Sequence, residues 1–160
     1  MAEYVIAEGS DKDIARARIR RMLEGWDHGP KKQQVEAIAN QLLMELGCPW
    51  KMKGHDRLVC ALTMVAQDPT LVHGITKGLY PDVANQFGET WQHTERNIRS
   101  VIEAIFERGN LRKIEQIYGE SASKCKGKMT NKDFIIRTAQ IIRQRAGIGV
   151  GDGKTEELKV

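Results

Sequence analysis

The chain has 160 residues, 25 Lys and Arg against 21 Asp and Glu, and a formal net charge of +4. That length suits one domain with a core plus tails, and so modest a basic excess permits an acidic partner without demanding one. No apolar stretch approaches the roughly 20 residues of a membrane span, no signal-peptide pattern opens the chain, and three Cys at wide spacings without a C-x-x-C argue against a disulfide framework, so a protein of the reducing cytoplasm, away from membranes, is expected.

Four Pro, abundant Leu, Ile and Ala, and no period-2 alternation predict an all-α fold. After a short fraying start, Ser10-Asp11 can cap a helix through about Gly25. Ile14, Ala15, Ile19, Met22 and Leu23 give it a narrow apolar stripe, ringed by Arg16, Arg18, Arg20 and Arg21. Such a helix can meet nucleic acid, an anionic membrane or another helix, or pack on its own domain with its arginines reaching to solvent. Trp26 to Pro30 is punctuated as a linker, so residues 1–30 form an N-terminal arm and residues 31–146 the main domain.

Lys31 to Leu46 comes next as a helix with Val35, Ile38, Ala39, Leu42 and Leu46 inward, ended by Gly47. Cys48 to Gly54 reads as a turn that carries Lys51 and Lys53 beside Trp50; basic residues on a rigid turn suit phosphate contact, and ordinary surface lysines fit equally well. His55 to Gln67 is the next helix, with Leu58, Leu62 and Val65 inward. Asp68-Pro69 divides it from a short helix over Thr70 to Lys77.

Leu79 to Arg108 is the stretch around which the rest is organised. A first helix uses Tyr80, Val83, Ala84 and Phe87. Gly88-Glu89-Thr90 breaks it, since Gly can take the left-handed conformation and Thr90 can cap a second helix. This longer helix runs to Arg108 and stops at Gly109-Asn110. Short helix, tight turn and longer amphipathic helix are the layout of a helix-turn-helix. On a wheel of about 100° per residue, Trp91, Thr94, Ile98, Val101, Ile102 and Ile105 form the stripe expected to be buried. Gln92, Glu95, Arg96 and Arg99 gather opposite, with His93 at the edge. These five lie toward the helix N-terminus, the end a recognition helix presents to the major groove. Arg can grip guanine O6 and N7, Gln can pair with adenine, and Glu can accept from cytosine N4. An ordinary solvated face would carry a similar pattern.

Beyond Gly109, Asn110 caps a helix that uses Leu111, Ile114 and Ile117, closed by Gly119. A loop with Lys124, Lys126 and Lys128 leads to Thr130-Asn131, which starts a last helix with Phe134, Ile135, Thr138, Ile141 and Ile142 inward, closed by Gly147. Residues 147–160 read as a disordered tail. No phosphate-cradling G-x-x-x-x-G-K-[ST] or G-x-G-x-x-G occurs, and no H-E-x-x-H. Cys60 with His55, or Cys125 with His73, are the remaining nucleophile pairings, but lone Cys and His residues are usually structural. No enzyme, cofactor or metal site is expected.

From about Leu46 to Gln144 the chain resembles the C-terminal DNA-binding effector domain of the master sporulation response regulator of endospore-forming bacteria. The stretches that carry the resemblance are Gly47-Cys-Pro, Lys53-Gly54, Ala61-Leu-Thr-Met-Val, Gly74-Ile-Thr-Lys-Gly-Leu-Tyr-Pro-Asp-Val-Ala, Glu95-Arg96, Ile98-Arg99, Arg108-Gly-Asn, and Lys126-Gly-Lys-Met-Thr-Asn with Phe134. It implies a bundle of about six helices that binds double-stranded DNA at a short promoter box of TGTCGAA type. Related domains sit head-to-tail on adjacent boxes and touch the RNA polymerase sigma subunit. By position, Glu95 and Arg96 match base-reading residues, Gln92 and Arg99 match nearby polar positions, and Lys51, Lys53 and the loop from Lys126 and Lys128 through Thr130 and Asn131 match backbone-contacting segments. Where the family usually has Arg, this chain has His93. The residues before Leu46 are too few for the family's receiver domain, so an effector without its own phosphorylation switch is expected. Two functions are compatible with this: a nucleoid-associated, sequence-specific transcription regulator, or an interaction protein that pairs with a full-length regulator or with polymerase.

Overall fold

The structure, a computed structural model, describes residues 31–120 and 129–149. The Arg-rich helix expected in the N-terminal arm, Lys126, Lys128 and the tail beyond residue 149 lie outside the described residues. The chain divides into two units, Met1–Lys31 and Lys32–Val160; all the helices of the described residues belong to the second.

Six α-helices and no strand stand among the described residues: α1 (Lys32–Glu45), α2 (Lys53–Gln67), α3 (Tyr80–Phe87), α4 (Trp91–Arg108), α5 (Leu111–Tyr118) and α6 (Asn131–Ala146). The all-α expectation holds. Several boundaries are set by side chains that accept the orphan N–H groups of a first turn. Thr90 Oγ1 accepts from the His93 N–H at 3.3 Å, Asn110 Oδ1 from Lys113 at 3.2 Å, and Thr130 Oγ1 from Asp133 at 3.1 Å.

α2 is the central element, packed on α1, α4 and α6. Leu58, Leu62 and Val65 of α2 join Leu42 and Leu46, Ile98 and Ile102, and Phe134 and Ile135 in one apolar core. Gly54 lets α2 come against α4: a Cβ there would lie 2.0 Å from the Asn97 carbonyl oxygen. At the far end of α4, the rings of Phe106, Tyr118 and Phe134 meet with centroids 5.6–6.2 Å apart, and the Tyr118 and Thr138 hydroxyls are hydrogen-bonded at 2.6 Å.

Several expectations need correction. Trp91, assigned to the buried stripe of α4, is 36% exposed, and Leu111, assigned to the core, is 53% exposed. Both are first residues of their helices, where a side chain leans back past the helix end rather than over a packed turn. Ala104 and Phe106, outside the expected stripe, are buried as well; the Phe106 ring meets Tyr118 of α5 and Phe134 of α6. The helix expected from His55 starts at Lys53, so Lys53 belongs to α2 rather than to the turn. The separate helix over Thr70 to Lys77 is a 3₁₀ turn, Pro69–Gly74, then a π turn, Ile75–Leu79, whose last bond runs from the Tyr80 N–H to the Ile75 carbonyl. The wider turn leads into α3 without a break and buries Leu79 and Tyr80 together. At the other end, Ile148 packs against the core and donates its N–H to the Arg143 carbonyl at 2.9 Å.

Candidate nucleic-acid interface

α3, the turn over residues 88–90 and α4 form the helix-turn-helix. The turn is sharp because Gly88 is left-handed, with φ 64° and ψ 39°, a conformation that costs a residue with a side chain far more than glycine. Glu89, read from sequence only as part of the break, is its anchor. Its carboxylate accepts from Arg57 Nε at 3.2 Å and Nη2 at 3.0 Å, and from the Thr94 hydroxyl at 2.6 Å. Arg57 also donates Nη1 to the Lys53 carbonyl at 3.3 Å and lies over the Phe87 ring, 4.2 Å from its centroid. Both side chains of the pair are largely out of water, and the Arg57 guanidinium holds the Glu89 carboxyl below the usual carboxylate range. Sequence reasoning missed Arg57; 32 positions separate it from Glu89, and neither spacing nor period links them.

On α4 the buried side is Thr94, Ile98, Val101, Ile102 and Ile105, all at most 1% exposed. Gln92, His93, Arg96 and Arg99 are exposed, and Glu95 is half-buried. Arg96 has no hydrogen bond or ion pair among the described residues. Arg99 Nη1 pairs with Glu95 Oε2 at 3.1 Å, four residues back. An exposed pair of this kind contributes about 0.3–0.5 kcal/mol, whereas a bidentate arginine–guanine contact discriminates by about 1–3 kcal/mol. The internal pair therefore leaves Arg99 free to change partner.

The start of α6 abuts this face. Asn131 Nδ2 donates to the Tyr80 hydroxyl at 3.1 Å and to the Glu95 carbonyl at 3.4 Å, so its amide is engaged within the protein, and Thr130 caps the helix from an exposed position. Glu95, Arg99, Met129, Thr130, Asn131 and Lys132 line a concavity of about 430 Å³. On the other side, Lys53 precedes Gly54, whose backbone touches Asn97 of α4. Lys51 is exposed, its ammonium 5.4 Å from the ring centroid of Trp50, which is itself 71% exposed. The α6 start and the exposed side of α4 thus adjoin at Glu95 and Arg99, and the backbone next to Lys53 meets α4 at Asn97.

Of the two nucleophile pairings, Cys125 with His73 lies in part outside the described residues. The Cys60 thiol meets the Met64 sulfur at 4.0 Å. Burial pushes the thiols of Cys60 and Cys48 up, the latter to about 12, opposite to the thiolate a nucleophile needs. Among the described residues no group of three His, Cys, Asp or Glu is placed to hold a metal ion, and no helix is long and apolar enough to cross a membrane.

Residues 39–142, well over half of the chain, match the family model described as the sporulation initiation factor Spo0A C terminal. The chain belongs to this family. It is a helical DNA-binding effector domain of the sporulation-regulator type. Within the Spo0A C-terminal match fall α2 to α5, the first three quarters of α6 and the helix-turn-helix whole.

Proposed function

We propose that this Spo0A C-terminal domain regulates transcription by reading a short promoter box of TGTCGAA type through the exposed side of α4. Gln92, His93, Glu95, Arg96 and Arg99 contact base edges. Lys51, Lys53, Lys126, Lys128 and Thr130 contact the phosphate backbone, and Asn131 orients the α6 start that carries the last of these. The observation that carries the reading is the state of Arg96: exposed, unpaired among the described residues, and on the polar side of a helix whose opposite side is sealed in the core. Phosphate contacts supply salt-dependent affinity and base contacts supply discrimination. By the same resemblance, copies sit head-to-tail on adjacent boxes and meet the polymerase sigma subunit. Selection of bound sequences from a random duplex pool at two salt concentrations tests the reading. One short motif should be enriched at both, while total retention falls with salt. Retention with no enriched motif would leave only charge-driven binding.

A further inference from the structure

We infer that Arg57, Glu89 and Thr94 are positioning residues for DNA reading, which hold the phosphate-contacting start of α2 and the base-reading end of α4 in one register. The inference rests on the proposed reading of bases by α4. None of the three lies in the set expected to touch DNA. Arg57 faces two ways: one terminal nitrogen bonds the Lys53 carbonyl, while Nε and the other grip Glu89 in the turn. Glu89 passes the constraint on, because the oxygen that accepts from Arg57 Nε also accepts the Thr94 hydroxyl, and Thr94 is fully buried between Gln92, His93 and Arg96, Arg99 along α4. Stacking on Phe87 includes the end of α3.

A solvent-exposed ion pair could not hold geometry in this way, since water competes for both partners and each long side chain regains freedom when released. Here the side chains are only 16% and 13% exposed, the carboxylate contact is two-pronged, and the guanidinium plane is fixed by a ring. Gly54 against Asn97 supplies a second point of contact between α2 and α4. Two separated contacts fix an angle where one would leave a pivot. Since phosphate contacts set the register in which base contacts are made, a helix that swings about Gly54 would keep its charges near the duplex and lose alignment with base edges. A displacement of about 1 Å at a preorganised site is enough to matter.

The test is a titration of the full chain and of two isosteric variants, Glu89→Gln and Thr94→Val, against a selected duplex and a random duplex at one salt concentration, with thermal unfolding recorded for each. Glu89→Gln should lose about tenfold on the selected duplex with no loss on the random one, so that the ratio of the two collapses. Thr94→Val, which keeps the Arg57 pair, should lose about threefold on the selected duplex alone, and it decides the matter if Glu89→Gln fails to fold. Variants that melt earlier yet keep the wild-type ratio would reduce the network to a stabilising contact and overturn the inference. Absence of any preference in the wild type would remove the function itself and the inference with it.

Discussion

Arg96, Arg99 and Lys53 show how burial and partners sort residues of like charge into different tasks. Arg96 and Lys53 are exposed, and Arg99 is held only by a weak neighbour four residues away. Arg57, by contrast, is spent inside the protein. Lys53→Ala should weaken binding to every duplex alike and lower the slope of log affinity against log salt by about 0.9, measured by titration over a salt series. Asn131 carries a separate expectation. Its amide bridges the Tyr80 hydroxyl and the Glu95 carbonyl, so Asn131→Ala should cost about 1 kcal/mol of stability in denaturant unfolding and leave that salt slope unchanged. Weaker binding to every duplex alike with unaltered stability would return Asn131 to the phosphate-contacting set. The exposed side of α4 was legible from the wheel, because a helix with one side in a core must turn the other outward. The work of Asn131 and Glu89 was not, since each depends on partners far away in sequence.

At the scale of elements, caps and turns decided what could be foreseen. Gly88, Thr90, Asn110 and Thr130 act locally, and each boundary they set was readable from residue type alone. The passage from Pro69 to Leu79 was not, because 3₁₀ and π turns are chosen by how Leu79 and Tyr80 meet the core rather than by local preference. Trp91 and Leu111 were misplaced for a related reason: a wheel assigns a direction but ignores that a first-turn side chain leans past the helix end. The contact of α2 with α4 gives this scale its prediction. Gly54→Ala would drive a methyl group into the Asn97 carbonyl, and overpacking of this kind costs about 1–3 kcal/mol or more. Thermal unfolding should show a clear drop, larger than that of Thr90→Ala, which removes one cap for about 1 kcal/mol.

For the molecule as a whole, the helices of the described residues share one core and two ionic clusters tie its parts. Arg57 and Glu89 secure the DNA-reading side. Glu45 secures the other, where Arg145 from α6 grips it at 3.0 and 3.1 Å and Lys113 from α5 stands at 3.5 Å. The Arg145 hydrogen bonds, opposed by burial, hold the Glu45 carboxyl down to about 2 from 4.5. A depressed carboxyl stabilises the fold only while ionised. Its contribution is complete above about pH 4.5 and fades as pH falls toward about 2. Glu45→Gln should therefore melt earlier than the wild type at neutral pH, and the gap should narrow across that acid range in a series of thermal scans. A constant gap would show that packing, not charge, accounts for the loss.

Base reading by the exposed side of α4 is tested most directly by the affinity of Arg96→Ala, measured beside the wild type on a selected duplex and on a random one. The selected duplex should lose about 1–3 kcal/mol of binding and the random one much less, so that preference falls with affinity. Equal losses on both duplexes would contradict base reading, since Arg96 would then serve only as positive charge.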